Sequence, residues 1–167
     1  RGDLRRFILQ QIEICIKDPE YEKLLIRYLL FHSVNQKSEF DFNSEQSYRE
    51  YLTTNPPTTI KGEVVKSYGE MEIANFFAQH GIAYQYETKY PIDTHTNEFE
   101  QYYPDFFLPE HNIYIEYYGI NRQHQVPSYF SGRDGKSASE IYRQGMEWKK
   151  KTHETNHTTL IECFAYE

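Results

Sequence analysis

Apolar residues fall at positions 4, 7, 8, 12 and 15 and again at 21, 24, 25, 28 and 29. Both stretches have the three-and-four spacing of one helix face. Lys17-Asp18-Pro19 breaks the pattern between them, which predicts a helical hairpin. Phe40-Asp41-Phe42-Asn43-Ser44 then offers a cap, Asn43 or Ser44, for a short helix through Tyr51 that Pro56-Pro57 ends. A soft boundary at 55–60 separates this N-terminal helical segment, 1–55, from a compact unit, 56–167. That unit opens with a helix predicted over Ser67–His80, capped by Ser67 with Glu70 three residues on and closed by Gly81. Ile73, Ala74 and Phe77 form its apolar stripe, and Glu70 lies on the same stripe one turn earlier. A capping-box role is the ordinary reading of Glu70, and a place in a site is the other.

Beyond Gly81 the period changes from helical to alternating. Ile82–Tyr90 reads as a strand, and 91–101 as a polar hairpin connection. Tyr103–Glu110 and Ile113–Gly119 read as two short strands joined by a polar turn. Each carries an acid in an apolar and aromatic setting, Asp105 in the first and Glu116 in the second. Strand side chains alternate faces, so Asp105 goes with Phe107, and Glu116 with Tyr114 and Tyr118. If the two faces coincide, the carboxylates meet where like charges need a shared proton or a cation between them. Residues 120–137, rich in Ser, Gly and charge, read as a long mobile loop beside this pair. Ser139–Asn156 is predicted helical, with Ile141, Trp148 and Thr152 on one face and Tyr142, Met146, Lys149 and His153 on the neighbouring one. Thr158–Ala165 is a final strand. The order predicts an α/β fold: a mixed central sheet of about four strands flanked by helices, with an N-terminal helical appendage.

Composition narrows the class. The chain has 167 residues and a net charge of −7, enough length for one domain with a real core. No apolar run approaches the roughly 18 residues of a membrane span, and no signal-peptide pattern opens the chain. Sixteen tyrosines against one tryptophan suit a strand-containing fold with wet pocket walls. Cys15 and Cys163 lie far apart in apolar surroundings, which points to reduced buried thiols and a cytoplasmic setting. The start Arg1-Gly2-Asp3, without Met, reads as an excised fragment or a processed product.

Glu70, Asp105 and Glu116 together supply three acids from a helix start and two adjacent strands. A hard divalent ion such as Mg²⁺ takes oxygen ligands and keeps several waters, so two or three carboxylates suffice to hold one. Such an ion activates water and neutralises charge at a phosphodiester, and a nearby cation would complete the site. Helix glutamate, then Pro104-Asp105, then Glu116 in a strand resembles the PD-(D/E)xK nuclease superfamily, which shares the restriction-endonuclease-like core. Further blocks resemble a nuclease-like module of superfamily-1 DNA helicases of the helicase IV type: Lys66-Ser67 with Glu70 and Ile73-Ala74, Tyr103-Pro104-Asp105-Phe106 with Leu108-Pro109, Ile115-Glu116 with Gly119, Gly145-Met146-Glu147-Trp148-Lys149, and Leu160-Ile161-Glu162. The resemblance covers roughly residues 32 to 167. It implies a metal-dependent DNA nuclease domain using Mg²⁺ (or Mn²⁺) on Glu70, Asp105 and Glu116, with helicase motor domains elsewhere in the parent chain. No phosphate-binding Gly-x-x-x-x-Gly-Lys-Ser/Thr loop is present, so no ATPase activity is assigned here.

One position departs from the superfamily pattern. Tyr118 stands where the motif has lysine, and a neutral phenol supplies no positive charge. In several relatives the basic residue migrates to a neighbouring helix, and the resemblance makes Lys149, or else Lys150, the candidate for that role here. Other candidates are His124, in the loop after Gly119, and Glu162, as a site-edge acid or an exposed strand residue. The remaining histidines show no zinc-ligand spacing. Residues 133–151 carry six cations against three acids, and Lys136, Arg143, Lys150 and Lys151 are the expected contacts to a DNA backbone. Tyrosines near the site suit unpaired bases, so the expected partner is single-stranded or forked DNA. Two other readings stay open: a catalytically inactive DNA-binding or docking module of the helicase, and an interaction domain in which the acids only accept hydrogen bonds.

Overall fold

The structure is a computed structural model that describes residues 2–15, 17–23, 26 and 36–166. Helix α1 spans Gly2–Cys15, and residues 19–23 are helical after the Asp18-Pro19 break. Most of the second half of the predicted hairpin, and the side chain of Cys15, lie outside the described residues. A short 3-10 turn, Glu39–Asp41, is closed by a capping box from Ser38. Helix α2 (Glu45–Thr54) comes next, and its Ser44 cap accepts the Ser47 N–H. Residues 36–55 pack against the 56–167 unit rather than standing apart from it. The Tyr51 ring lies 6.0 Å from that of Tyr68, the Tyr48 ring lies 6.4 Å from that of Tyr129, and the Tyr68 hydroxyl donates to Asn55 O at 2.8 Å.

Helix α3 (Tyr68–Gln79) starts at the expected Ser67 cap, which accepts the Glu70 N–H. Gly81, with φ of 67°, closes it, a conformation that a residue with a Cβ adopts only at a cost. Four strands then build one mixed sheet in the order β1 (Gln85–Tyr86), β2 (Phe106–Leu108), β3 (Ile113–Tyr118), β4 (Thr159–Phe164). The first two pairings are antiparallel, and β3–β4 is parallel across helix α4 (Ala138–Thr155). Ser137 and Glu140 form a complete capping box at the start of α4. The sheet is therefore covered on both faces, as the α/β expectation required. On one face Ala74 and Phe77 of α3 pack on Phe106, Leu108 and Ile115. On the other, Trp148 of α4 packs with Tyr90, Tyr102 and Tyr114, while Tyr142 and Met146 pack on Tyr118, Ile120 and Val126.

Two predicted elements differ. The strand expected over 82–90 is reduced to Gln85–Tyr86 because Glu87 enters the left-handed region, with φ of 47°. Its partner also breaks, since Pro104 has no N–H to donate to the ladder. The same register still holds further out: Glu87 N–H reaches Asp105 O at 3.0 Å and Tyr90 N–H reaches Tyr102 O at 3.0 Å. Residues 120–137 form no helix or named strand, yet the loop is pinned at mid-length by buried Val126 and Pro127.

Candidate active site

Strand register decides whether the two acids meet. Phe106 pairs with Ile115 across β2–β3, so continuing one step places Asp105 opposite Glu116. Residues directly opposite each other share a face and successive pairs alternate, so Asp105 and Glu116 lie on the face of the next pair but one, Phe107 and Tyr114, whose stacked rings have centroids 4.6 Å apart. It is the face covered by α4. Glu116 is fully buried and Glu70 is 7% exposed, so neither acid is an ordinary surface carboxylate.

Each acid is held differently. Asp105 Oδ2 accepts the Tyr117 N–H at 2.7 Å, and among the described residues no hydrogen bond reaches Oδ1. Burial, then the negative field of Glu116, pushes the Asp105 carboxyl up to about 7, and Lys149 and the Tyr117 N–H oppose this only in part. Glu116 Oε1 accepts the Tyr102 hydroxyl at 2.7 Å, and its Oε2 accepts the Lys149 ammonium. Glu70 Oε2 accepts both the Tyr86 hydroxyl, at 2.6 Å, and the Lys66 N–H, at 3.0 Å. Its carboxyl is raised by burial and then by Asp105, against those donors. Ser67 supplies its half of a capping box, whereas the Glu70 carboxylate turns to Lys66 and Tyr86 and faces the field of Asp105.

Lys149 reaches Glu116 because it lies on the inward stripe of α4 with Tyr142, Met146 and His153, one and two turns away. The face given to Trp148 is not the innermost one. Trp148 is half-buried against Tyr102, its ring stacked on Phe99 from the 91–101 connection at 4.4 Å and 6° between planes. The Lys149 ammonium lies 5.8 Å over the Tyr102 ring and 5.5 Å over the Tyr118 ring, within cation–π range. Tyr118 thus offers its ring to the lysine that comes from the helix. Its own hydroxyl is buried without a hydrogen-bond partner.

The four expected DNA contacts do not join this cluster. Lys136, Arg143, Lys150 and Lys151 are exposed, and the Lys136 ammonium donates to Gln144 Oε1 at 3.0 Å. Glu147 and Glu154 share the outer surface of α4 with Arg143, Lys150 and Lys151, which dilutes its positive potential. His124 is exposed in its loop, its ring 6.2 Å from that of Tyr166. Glu162 is half-buried and pairs with Glu116 in the β3–β4 register.

Three further residues belong to the site and were not anticipated. Tyr102 and His153 stand directly behind Glu116, both buried. Glu39 comes from the 3-10 turn of the N-terminal segment, where its carboxyl packs against Gly119 so closely that a Cβ there would strike it. Burial and then Glu70 push the Glu39 carboxyl up to about 7. Glu39 also lines a cavity of about 450 Å³ with Tyr48, Gly69, Glu72, Tyr117 and Arg122. Asp105, Glu116 and Lys149 do not line that cavity, so the acid cluster stands beside it.

Among the described residues no group of three or more His, Cys, Asp or Glu side chains is gathered ready to hold a metal ion. The reason is visible in the bonding, since both oxygens of Glu116 are engaged by Tyr102 and Lys149. The donor set nonetheless fits a hard cation at Asp105. That residue has an open oxygen and lies in the field of two further acids, and a divalent ion with water in its remaining positions would relieve this repulsion. No family model matches the chain, and no curated protein or solved structure matches it.

Proposed function

We propose that the chain is a metal-dependent DNA nuclease-like domain with a restriction-endonuclease-like core, carried by a superfamily-1 helicase and acting on single-stranded or forked DNA. The observation that carries this reading is Lys149. Arriving from α4, it brings to the Asp105–Glu116 pair the positive charge that Tyr118 does not supply. Asp105, with Glu70 on its flank, would hold Mg²⁺ or Mn²⁺. When bound, such an ion supplies a Lewis acid for a phosphodiester and lowers the pKa of water. Glu116 holds Lys149 in place, and the Lys149 side chain, 29% exposed, presents its ammonium to a phosphate oxygen arriving from solvent. Tyr102 and Tyr118 wall this cation with their rings and exclude water from its inner side.

The direct test is cleavage of single-stranded, duplex and forked DNA with Mg²⁺ or Mn²⁺, comparing wild type with Asp105→Ala and Lys149→Ala. Metal-dependent cleavage that both substitutions abolish is the expected result, and undiminished cleavage by Asp105→Ala would sink the reading. A second reading, a catalytically inactive DNA-binding or docking module of the helicase, is favoured by the saturation of both Glu116 oxygens. DNA binding that needs no divalent ion, survives Asp105→Ala and is never accompanied by cleavage would select it.

A further inference from the structure

Glu116 is fixed from two sides, and the side away from Lys149 leads into a buried polar chain. We infer that His153 carries its proton on Nε2, and that Tyr90, Thr158, His153 and Tyr102 form a one-way series of donors ending on Glu116 Oε1, which positions this carboxylate for Lys149.

Counting protons fixes the direction. A carboxylate only accepts, so the single hydroxyl proton of Tyr102 goes to Glu116 Oε1, at 2.7 Å. The contact between Tyr102 Oη and His153 Nε2, at 3.2 Å, then forms only if Nε2 carries a hydrogen and donates. His153 is 2% exposed and ringed by Tyr90, Tyr102 and Tyr114, with centroids 5.1, 5.6 and 5.0 Å away. Burial, and secondly Lys149, push its imidazole down to about 4, so it is neutral and its other nitrogen is an acceptor. The Thr158 hydroxyl, 2.7 Å from Nδ1, must therefore donate to it. Its proton spent, Thr158 Oγ1 accepts from the Tyr90 hydroxyl, also at 2.7 Å. Every donor points toward Glu116, and each member accepts as it donates except Tyr90, which starts the series.

The consequence is mechanical as well as electrostatic. The chain joins the β1–β2 hairpin through Tyr90 and Tyr102, α4 through His153, and the start of β4 through Thr158, so Glu116 is oriented by three parts of the fold at once. With Oε1 held, Oε2 has one direction left, toward Lys149. His153 and Tyr102 are positioning residues, acting on a phosphodiester only through Glu116. Their link to cleavage rests on the nuclease reading, whereas the tautomer and the direction of the chain do not.

The test begins with long-range ¹H–¹⁵N spectra of the imidazoles of the full chain at pH 7, with His153→Gln identifying the His153 signals by their loss. A protonated Nε2 and a bare Nδ1 are expected. An Nδ1–H tautomer or an imidazolium would overturn the inference without any appeal to activity. In the cleavage assay, Tyr102→Phe should lower kcat by about 10- to 100-fold, the usual cost of losing a partner of a site ligand, with KM little changed. His153→Gln, whose amide N–H still reaches Tyr102, should lose less than His153→Leu. Equal losses in the two His153 variants, or a wild-type kcat in Tyr102→Phe, would remove the positioning role. A wild-type protein that never cleaves would count against the nuclease reading and leave the imidazole spectra to decide the chain.

Discussion

Asp105→Asn keeps the shape of the side chain and removes its ability to ionise, so it isolates what the buried charge costs. An ordinary aspartate titrates near 3.8, and here burial and Glu116 push the carboxyl up to about 7. A raised value means that the folded state holds this proton more tightly than the unfolded chain. The favourable contribution is complete below about 3.8 and is lost as pH rises through about 7. A shift of about 3 units corresponds to about 4 kcal/mol between the two limits. The 2.7 Å bond from the Tyr117 N–H favours the charged form and is already contained in this net shift. Asn should therefore stabilise the protein by about 4 kcal/mol at pH 8, or about 8–16 °C in Tm for a chain of this size, and by almost nothing near pH 4. The assay is urea unfolding of both proteins from pH 4 to pH 8 with a chelator present. A variant no more stable than wild type at pH 8, or one whose gain is as large at pH 4, would refute the reasoning. A companion titration with Mg²⁺ should raise the stability of wild type well beyond that of Asp105→Asn, because ions that bind only the folded state stabilise it by mass action. Equal rises would place the ion away from Asp105.

Other substitutions test the remaining parts. Lys149→Met leaves Glu116 wholly buried with Tyr102 as its donor. Breaking a buried pair costs about 3–5 kcal/mol, and with Lys149 partly exposed the lower end, about 3 kcal/mol, is expected in urea at pH 7; a loss under about 1 kcal/mol would mean the pair does not form in solution. Gly69→Ala drives a Cβ into the Tyr117 ring and should lower stability by about 1–3 kcal/mol, with Tyr117→Leu in the same chain recovering most of it; calorimetry reads both. Lys150→Ala should weaken DNA binding and reduce the slope of log affinity against log salt by about 1, and an unchanged slope would move the DNA to another surface.

How much the chain discloses in advance depends on how local each signal is. Ser44 and Ser67 begin α2 and α3 as expected because an N-cap is decided within four residues. The meeting of Asp105 and Glu116 was legible too, since a period of two and a short turn at Asn112, with φ of 52°, leave little freedom of register. Strand β1 was not, because its length depends on Glu87 entering the left-handed region one residue before the position that faces Pro104 of the partner segment. On α4 the helical period marks two adjacent stripes, and only tertiary contacts show that Lys149 reaches Glu116 while Trp148 packs on Tyr102 and stacks on Phe99. Glu39 carries no periodic signal, since what matters is its contact with Gly119, on a distant strand end.

The tyrosine content takes on a chemical sense once these contacts are placed together. Tyr102 donates to Glu116, Tyr86 to Glu70 and Tyr84 to Glu63. Each is a neutral donor, so it satisfies a carboxylate oxygen without cancelling its charge. Glu116, satisfied in this way, keeps its negative field, which adds to burial, the larger cause, in raising the Asp105 carboxyl. Arginine or lysine in those places would have neutralised the cluster and closed it to cations. With tyrosines there, Lys149 alone pairs with Glu116 among the described residues, and the remaining negative charge is left at Asp105, where a divalent ion or a proton must compete for it.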